Sequence, residues 1–138
     1  MIIEVSGVWD LLHVGHIRLF QKARSIAPPG EDVTLLVGVH SDTDVMSYKR
    51  CPIIPHDQRL EMVSACRYVD GVIPNAPLVY TESHLDKYAI DIVVHAHDEN
   101  DTDYDELYKI PMELGKFRRL NYSPATSTSK IIASLSSS

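Results

Sequence analysis

The sequence predicts an α/β fold in which a single domain is built on one doubly wound parallel sheet of five strands, with helices on both faces. Short β-branched runs alternate along the chain with segments whose apolar residues recur every three or four positions. Two of the strand-like runs, 32–40 and 91–97, are almost continuously apolar, which is typical of strands buried on both faces. The length of 138 residues suits one domain with one core.

The first half of the chain alternates two strands with two helices. A β-branched run predicts a strand over 2–8, and an apolar stripe predicts a helix over 15–27 that a Pro-Pro-Gly turn ends. The second strand covers 32–40. The segment 41–55 contains two prolines and no clear period, so we predict a loop, and a helix over 56–69 follows it.

The second half continues the alternation with three short strands and three helices. The predicted strands cover 71–74, 91–97 and 117–122, and the predicted helices cover 82–89, 103–115 and 127–135. Because proline lacks an N–H, we expect Pro111 to interrupt its helix, and Gly115 is expected to end it. The serine-rich residues 133–138 predict a flexible tail.

Composition and charge exclude several classes of function. The formal net charge of −6 argues against a nucleic-acid-binding protein, so an anionic ligand must be held by a local cluster of cations and amides. The two cysteines match no zinc or redox spacing. No apolar run approaches the roughly 20 residues that a membrane span needs, and the first residues do not form a signal peptide. These features favour a cytoplasmic protein without stable membrane insertion.

The stretch GVWDLLHVGH, residues 7–16, carries the most specific chemical signal. In a doubly wound sheet, ligands bind at the carboxyl ends of the strands, and this stretch follows the first strand. If a helix begins near Gly15, its free amides point into the same space as the imidazoles of His13 and His16. Gly7 and Gly15 leave room for a ligand to approach the backbone. The stretch therefore predicts a phosphate cradle with two imidazole donors.

The same stretch resembles the HxGH signature of the nucleotidyltransferase superfamily, in its cytidylyltransferase branch. The similarity continues through LLVGVHSDTDVMSYKR, HDQRLEMVSACRYVDGVIPNAP, IDIVVHAHD and STSKII, which resemble segments of the choline- and ethanolamine-phosphate cytidylyltransferases. The chain is most similar to the ethanolamine-phosphate enzymes, and within them to the second of two tandem catalytic-type domains. The resemblance implies a Rossmann-like nucleotide-binding domain over 1–132.

The resemblance also implies a reaction. CMP passes from CTP to a phosphorylated amino alcohol, expected to be phosphoethanolamine, and CDP-ethanolamine and pyrophosphate form as a step of phospholipid biosynthesis. A phosphomonoester is largely dianionic near neutral pH, so it is already a nucleophile. The catalytic task is to bring two anions together and to stabilise the attacked phosphate. Mg²⁺ is expected to accompany CTP.

The resemblance assigns roles residue by residue. The catalytic residues are His13, His16 and Lys49. The residues that contact CTP are Gly7, Val8, Trp9, Gly15, Arg59, His95, Ala96, His97, Asp98, Thr126, Ser127, Thr128 and Ser129. Tyr108 is implied to contact the substrate. Read from its position in the stretch, Asp10 is expected to hold the substrate ammonium or a water of Mg²⁺. Read without the resemblance, Lys49 and Arg59 also fit surface cations, and His95 and His97 lack a third ligand for a metal site.

Two departures from the family pattern keep alternatives open. Residues 122–125 read Tyr-Ser-Pro-Ala where active relatives carry Arg-Thr-x-Gly, so a guanidinium contact to phosphate is missing there. A CTP-binding domain of low turnover that works with a sister domain is therefore an alternative. Leu78 replaces a tryptophan of the choline enzymes, which argues against phosphocholine, although phosphocholine and glycerol 3-phosphate remain alternative substrates. The resemblance implies a homodimer or a tandem pseudo-dimer.

Overall fold

Five parallel strands form one sheet in the computed structural model, which describes residues 1–97, 104–121 and 132–135. The strands are β1 (Ile2–Gly7), β2 (Thr34–Val39), β3 (Gly71–Ile73), β4 (Ile92–His97) and β5 (Phe117–Asn121). Their order across the sheet is β3-β2-β1-β4-β5, and every neighbouring pair is parallel. The predicted five-stranded parallel sheet is confirmed.

The helices connect the strands as the alternation predicted. They are α1 (Val14–Arg24), α2 (Asp42–Met46), α3 (His56–Ser64), α4 (Glu82–Lys87), α5 (Tyr104–Leu107) and α6 (Lys109–Glu113). Residues 132–135 are also helical and lie within the last predicted helix. This helical segment spans the predicted boundary at residue 132 between the domain and the tail. Within the described residues, no helix combines the length and the apolar character that crossing a bilayer requires.

Helix α2 lies inside the segment 41–55, which was wrongly predicted to be entirely loop. The hydroxyl of Ser41 accepts a hydrogen bond from the Asp44 amide and caps the helix at its N-terminus. Val45 is buried and anchors the single turn and a half. Five residues are too few to show a helical period, so pattern analysis missed this helix.

The interruption predicted at Pro111 lies at Tyr108 instead. Pro111 is in the first turn of α6, where a missing N–H costs nothing, and the break separates α5 from α6 three residues earlier. The carbonyl of Leu107, which a continuous helix would pair with residue 111, accepts the backbone N–H of Tyr80. Gly115 follows α6 with a φ of +69°, as the predicted helix end requires.

The sheet buries an apolar layer on each face. Ile3 and Val5 of β1 and Val94 of β4 pack with the α1 residues Leu19 and Phe20. Val93, next to Val94 and therefore on the opposite face, packs with Leu85 of α4 and with three further buried residues. These are Tyr80, Ile90 and Tyr108. Helices cover both faces, as predicted.

A buried contact between a carboxyl group and an imidazole joins the second layer to the central strand. Glu4 lies between Ile3 and Val5 in β1 and is fully buried. Its two carboxylate oxygens lie 2.9 Å and 3.0 Å from Nε2 of His84 on α4. The hydroxyl of Ser6 also donates to Glu4, and the hydroxyl of Tyr80 donates to Ser6. The carboxylate thus depends on α4 for its main partner.

We predict that His84→Ala destabilises the fold strongly, because it leaves the buried carboxylate of Glu4 without its imidazole partner. Removing one member of a buried pair typically costs about 3–5 kcal/mol. The free energy of unfolding, measured by urea titration, checks this value. Ser83→Ala on the exposed side of the same helix is the control and should change stability by less than about 0.5 kcal/mol. Equal stabilities of the two variants would contradict the prediction.

Candidate functional site

Two segments of the predicted site lie at the carboxyl ends of the neighbouring strands β1 and β4. The strand order reverses between β1 and β4, so the connections from these two neighbours leave in opposite directions and open a crevice. The β1–α1 loop, residues 8–13, leaves β1 at this point. His95, Ala96 and His97 form the end of the adjacent strand β4. The topology thus places two of the chemically rich segments side by side.

The β1–α1 loop takes an unusual backbone path. Trp9 and Leu11 have φ values of +56° and +49°, a region that residues other than glycine rarely adopt. The buried indole of Trp9 anchors the loop because its Nε1 donates to the carbonyl of Gly38 over 2.8 Å. A Cβ on Gly7 would lie 2.9 Å from this indole. The prediction that Gly7 leaves room for a ligand is therefore wrong, because the indole of Trp9 fills that space.

His13 and His16 form a stacked pair at the start of α1. Their ring centroids are 3.8 Å apart with an interplanar angle of 27°. Nδ1 of His13 accepts the N–H of Gly15 over 3.1 Å, and Nδ1 of His16 accepts the N–H of His13 over 3.2 Å. A nitrogen that accepts carries no proton, so in the neutral rings each Nε2 carries it. Both rings thus present Nε2–H donors at a helix N-terminus.

The surroundings keep these two imidazoles neutral. Burial lowers the pKa of His13. Burial, followed by the charge of His13, lowers the pKa of His16 to about 3, against a smaller opposing effect of Asp10. Two protonated rings in a stack would also repel each other. At neutral pH the pair therefore donates hydrogen bonds without carrying charge.

Arg59 is fully buried beneath the β1–α1 loop. Its guanidinium donates to the carbonyl of Val8 over 2.7 Å and to the carbonyl of Ile54 over 2.9 Å, and it pairs with Asp42. Burial opposes ionisation of Asp42, but hydrogen bonds from Arg59 and from the His56 amide hold its pKa below the usual value. The structure gives Arg59 a structural role. The predicted contact of Arg59 with CTP stays a prediction.

Asp10 and Lys49 lie on two loops that contact each other. The buried carboxylate of Asp10 accepts hydrogen bonds from the amides of Ile53 and Ile54 and from Arg50. Lys49, next to Arg50, is exposed, and its Nζ lies 5.8 Å from the ring centroid of Tyr48. The predicted contact of Asp10 with substrate stays a prediction, and the structure shows it bound to the loop that carries Lys49.

At the end of β4, His95 contacts a buried tyrosine. Its Nδ1 lies 3.1 Å from the hydroxyl of Tyr108, which is 6% exposed and packs against Tyr80 and Phe117. Ala96 is half-buried. The remaining predicted contact residues, Asp98, Thr126, Ser127, Thr128 and Ser129, lie outside the described residues, as does the substituted segment 122–125.

Sequence reasoning missed Asp42 and Ile54 as parts of the site. Asp42 is the ionic partner of Arg59, and the peptide of Ile54 is held by both Asp10 and Arg59. No local pattern distinguishes these residues, because their partners lie between 5 and 44 positions away in the chain. In the described part of the chain, no three His, Cys, Asp or Glu residues are grouped so as to hold a metal ion.

Comparison with known proteins gives consistent matches. A family model described as "Cytidylyltransferase-like" matches residues 5–134. The choline-phosphate cytidylyltransferase of Saccharomyces cerevisiae is 38% identical over 136 residues, which cover 96% of this chain and 31% of the relative. The ethanolamine-phosphate cytidylyltransferase of Mus musculus is 32% identical over 128 residues, covering 92% and 30%. The chain thus spans about a third of the length of these relatives.

A solved structure supports the same fold. The crystal structure of the lipopolysaccharide core biosynthesis protein from Thermoplasma volcanium matches with a TM-score of 0.70 and 23% identity. The match covers 91% of this chain and 98% of that one. At this identity the likeness establishes the shared architecture, which is the Rossmann-like α/β sheet described above.

We predict that acid weakens the fold through the histidine pair. The folded pKa of His16, about 3, lies below the value near 6.5 expected in the unfolded chain. The unfolded state then binds more protons between these values, so the free energy of unfolding falls as the pH drops from about 6.5 toward 3. The slope for His16 is at most about 1.4 kcal/mol per pH unit.

Imidazole resonances in NMR spectra provide the direct measurement. The His16 ring should remain in its neutral form at about pH 5 in the native protein, while the same residue in concentrated urea is mostly protonated there. A native resonance of His16 that titrates near 6.5 would contradict the assignment.

Proposed function

The chain belongs to the cytidylyltransferase-like family, and on that premise we propose that it transfers CMP from CTP to phosphoethanolamine, releasing pyrophosphate. A phosphate oxygen of phosphoethanolamine forms a bond to the α-phosphorus of CTP. The bond from that phosphorus to the bridging oxygen breaks, and its electron pair leaves with pyrophosphate. No protein nucleophile is required, because the phosphomonoester supplies it.

The observation that carries this proposal is the fixed orientation of the two imidazoles. His13 and His16 each use Nδ1 to accept a backbone amide, so their Nε2–H groups are available to phosphate oxygens. Donors that are already oriented stabilise the charge that develops during displacement without reorganising. Both rings stay neutral, so they can donate over a wide pH range.

A cation on the neighbouring loop complements these donors. Lys49 is exposed, and its loop is joined to the β1–α1 loop through Arg50 and Asp10. The net charge of −6 means that the global field does not attract CTP. A local ammonium together with the N-terminus of α1 supplies the compensating positive potential.

The packing of Tyr108 favours a primary ammonium over a quaternary one. Recognition of a quaternary ammonium relies on open aromatic faces around the cation. The ring of Tyr108 is packed against Tyr80 and Phe117, and its hydroxyl contacts His95. A primary ammonium is bound by hydrogen-bond acceptors and needs no such cage. The contact of Tyr108 with substrate, which the family resemblance implies, is accordingly expected through its hydroxyl region.

Mg²⁺ is expected to enter bound to CTP. The carboxylate of Asp10, three residues before His13, is occupied by two amides and Arg50, so this residue does not offer a free metal ligand. The described residues thus do not form a dedicated cation site beside the histidines. The metal, held by the triphosphate oxygens, would reduce the negative charge that Lys49 and the imidazoles face.

We predict that His13→Asn abolishes most turnover while keeping the helix intact. Asparagine is a good N-cap and replaces the acceptor Nδ1, but it lacks the donor at the Nε2 position. The loss of one oriented donor should lower kcat by about 10²–10³-fold, measured as pyrophosphate release with CTP, Mg²⁺ and phosphoethanolamine. His13→Gln is the complementary variant, because its amide reaches toward the Nε2 position and restores part of the activity.

The same assay with the wild-type protein tests the proposal against its alternatives. Phosphoethanolamine should give a kcat/KM at least about tenfold above that of phosphocholine or glycerol 3-phosphate. A preference for another acceptor would overturn the substrate and leave the CMP transfer standing. Binding of CTP in calorimetry without pyrophosphate release would select the low-turnover alternative. A protein that neither binds CTP nor releases pyrophosphate would overturn both the proposed transfer and the low-turnover alternative.

A further inference from the structure

The strongest unexplained feature near the site is the set of contacts around Asp10. This carboxylate is 3% exposed. One oxygen accepts the Ile53 amide over 2.8 Å and the Arg50 guanidinium over 3.1 Å, and the other accepts the Ile54 amide over 3.0 Å. These partners lie 40 to 44 residues along the chain from Asp10. The side chain therefore fastens a distant loop to the segment that leads into His13.

Arg59 completes this attachment from the other side. Its Nε donates to the carbonyl of Ile54, and one terminal nitrogen donates to the carbonyl of Val8. The peptide groups of Ile54 are thus held at the N–H by Asp10 and at the carbonyl by Arg59. We call this arrangement of Val8, Asp10, Arg50, Ile53, Ile54 and Arg59 the loop brace.

The loop brace fixes the backbone beside Lys49. On one side, the amide of Lys49 donates to the carbonyl of Val45 over 2.9 Å at the end of α2. On the other side, the next residue is Arg50, whose guanidinium pairs with Asp10. The backbone of Lys49 lies between two anchored points while its side chain remains exposed.

The charges in the loop brace are also balanced in a way that suits an anionic ligand. An unpaired carboxylate three residues before His13 would repel a triphosphate. Two amide donors and one guanidinium offset the charge of Asp10. The carboxylate therefore anchors the loop without opposing the binding of phosphate.

We infer that Asp10 is a positioning residue that holds the Lys49 loop against the β1–α1 loop, so that the ammonium and the imidazole donors act on the same phosphate chain. This inference rests on the proposed function. It replaces a direct contact between Asp10 and the substrate ammonium with an effect that passes through Lys49.

A double-mutant cycle between Asp10 and Lys49 tests the inference. Asp10→Asn preserves the shape of the side chain, but it removes the charge and leaves only one oxygen to accept hydrogen bonds. We therefore expect kcat/KM to fall about 10–100-fold. The loss should consist of a lower kcat and a higher KM for CTP. Lys49→Ala should cost at least as much. Because Asp10 acts through Lys49, the double variant should lie within about threefold of Lys49→Ala. Glu61→Gln, an exposed acid on α3, is the control for loss of one charge.

Two outcomes of the cycle would overturn the inference. If the reduction of kcat/KM in the double variant equals the product of the two single reductions, Asp10 acts independently of Lys49. A rise in KM confined to phosphoethanolamine, with KM for CTP unchanged, would identify Asp10 as a ligand of the ammonium. Urea unfolding of each variant shows whether the native state is populated in the assay. If the wild-type protein binds CTP without turnover, the same cycle is measured on the dissociation constant of CTP.

Hydrogen exchange separates failure of this inference from failure of the proposed function. In Asp10→Asn the amides of Ile53 and Ile54 should exchange at least about tenfold faster, while core amides such as that of Val37 keep their protection. Unchanged exchange would overturn the attachment itself. Accelerated exchange in a protein that neither binds nor uses CTP would confirm the attachment, overturn the proposed function and remove the role for Lys49.

Discussion

The chemistry of the site depends on two backbone amides that donate to imidazole nitrogens. The N–H groups of Gly15 and His13 would otherwise lack partners at the start of α1, and each is accepted by an Nδ1. The same bonds that cap the helix therefore determine which nitrogen of each ring carries the proton. Capping of the helix and orientation of the two imidazoles are one interaction in this fold. The residues of the β1–α1 loop are placed so that this cap forms at the carboxyl end of the central strand.

Binding of an anionic ligand would also require local positive potential, because the net charge of the protein is negative. Arg59 does not provide it directly, because its guanidinium is fully buried and bonded to Val8, Ile54 and Asp42. Its charge instead holds the loops that surround the site. The exposed cation of Lys49, the Nε2–H groups of the imidazoles and the positive end of the α1 dipole are available to an anion. Buried charge thus shapes the site, and the proposed function assigns ligand binding to the exposed charge.

The sequence predicted the sheet well and the loops poorly, for a physical reason. Strand periodicity and helix stripes are local signals, so the five strands and the HxGH turn were identified within a few residues. The roles of Asp10 and Arg59 depend on partners up to 51 residues away, and no local pattern carries that information. For the same reason Gly7 was explained by an approaching ligand, whereas the structure shows the indole of Trp9 there. Helix α2 was too short to produce a period.

The choice of amino alcohol belongs to the same class of non-local properties. Overall identity to the choline- and ethanolamine-phosphate enzymes spans 29–38%, an average over some 130 positions that does not isolate the few residues facing the ammonium. Those residues are set by packing between elements. The interruption between α5 and α6 at Tyr108 leaves the Leu107 carbonyl to accept the backbone N–H of Tyr80. The ring centroids of Tyr80 and Tyr108 then lie 5.2 Å apart. Packed in this way, the ring of Tyr108 contributes to the core, and under the proposed function we expect hydrogen bonding to distinguish the substrates.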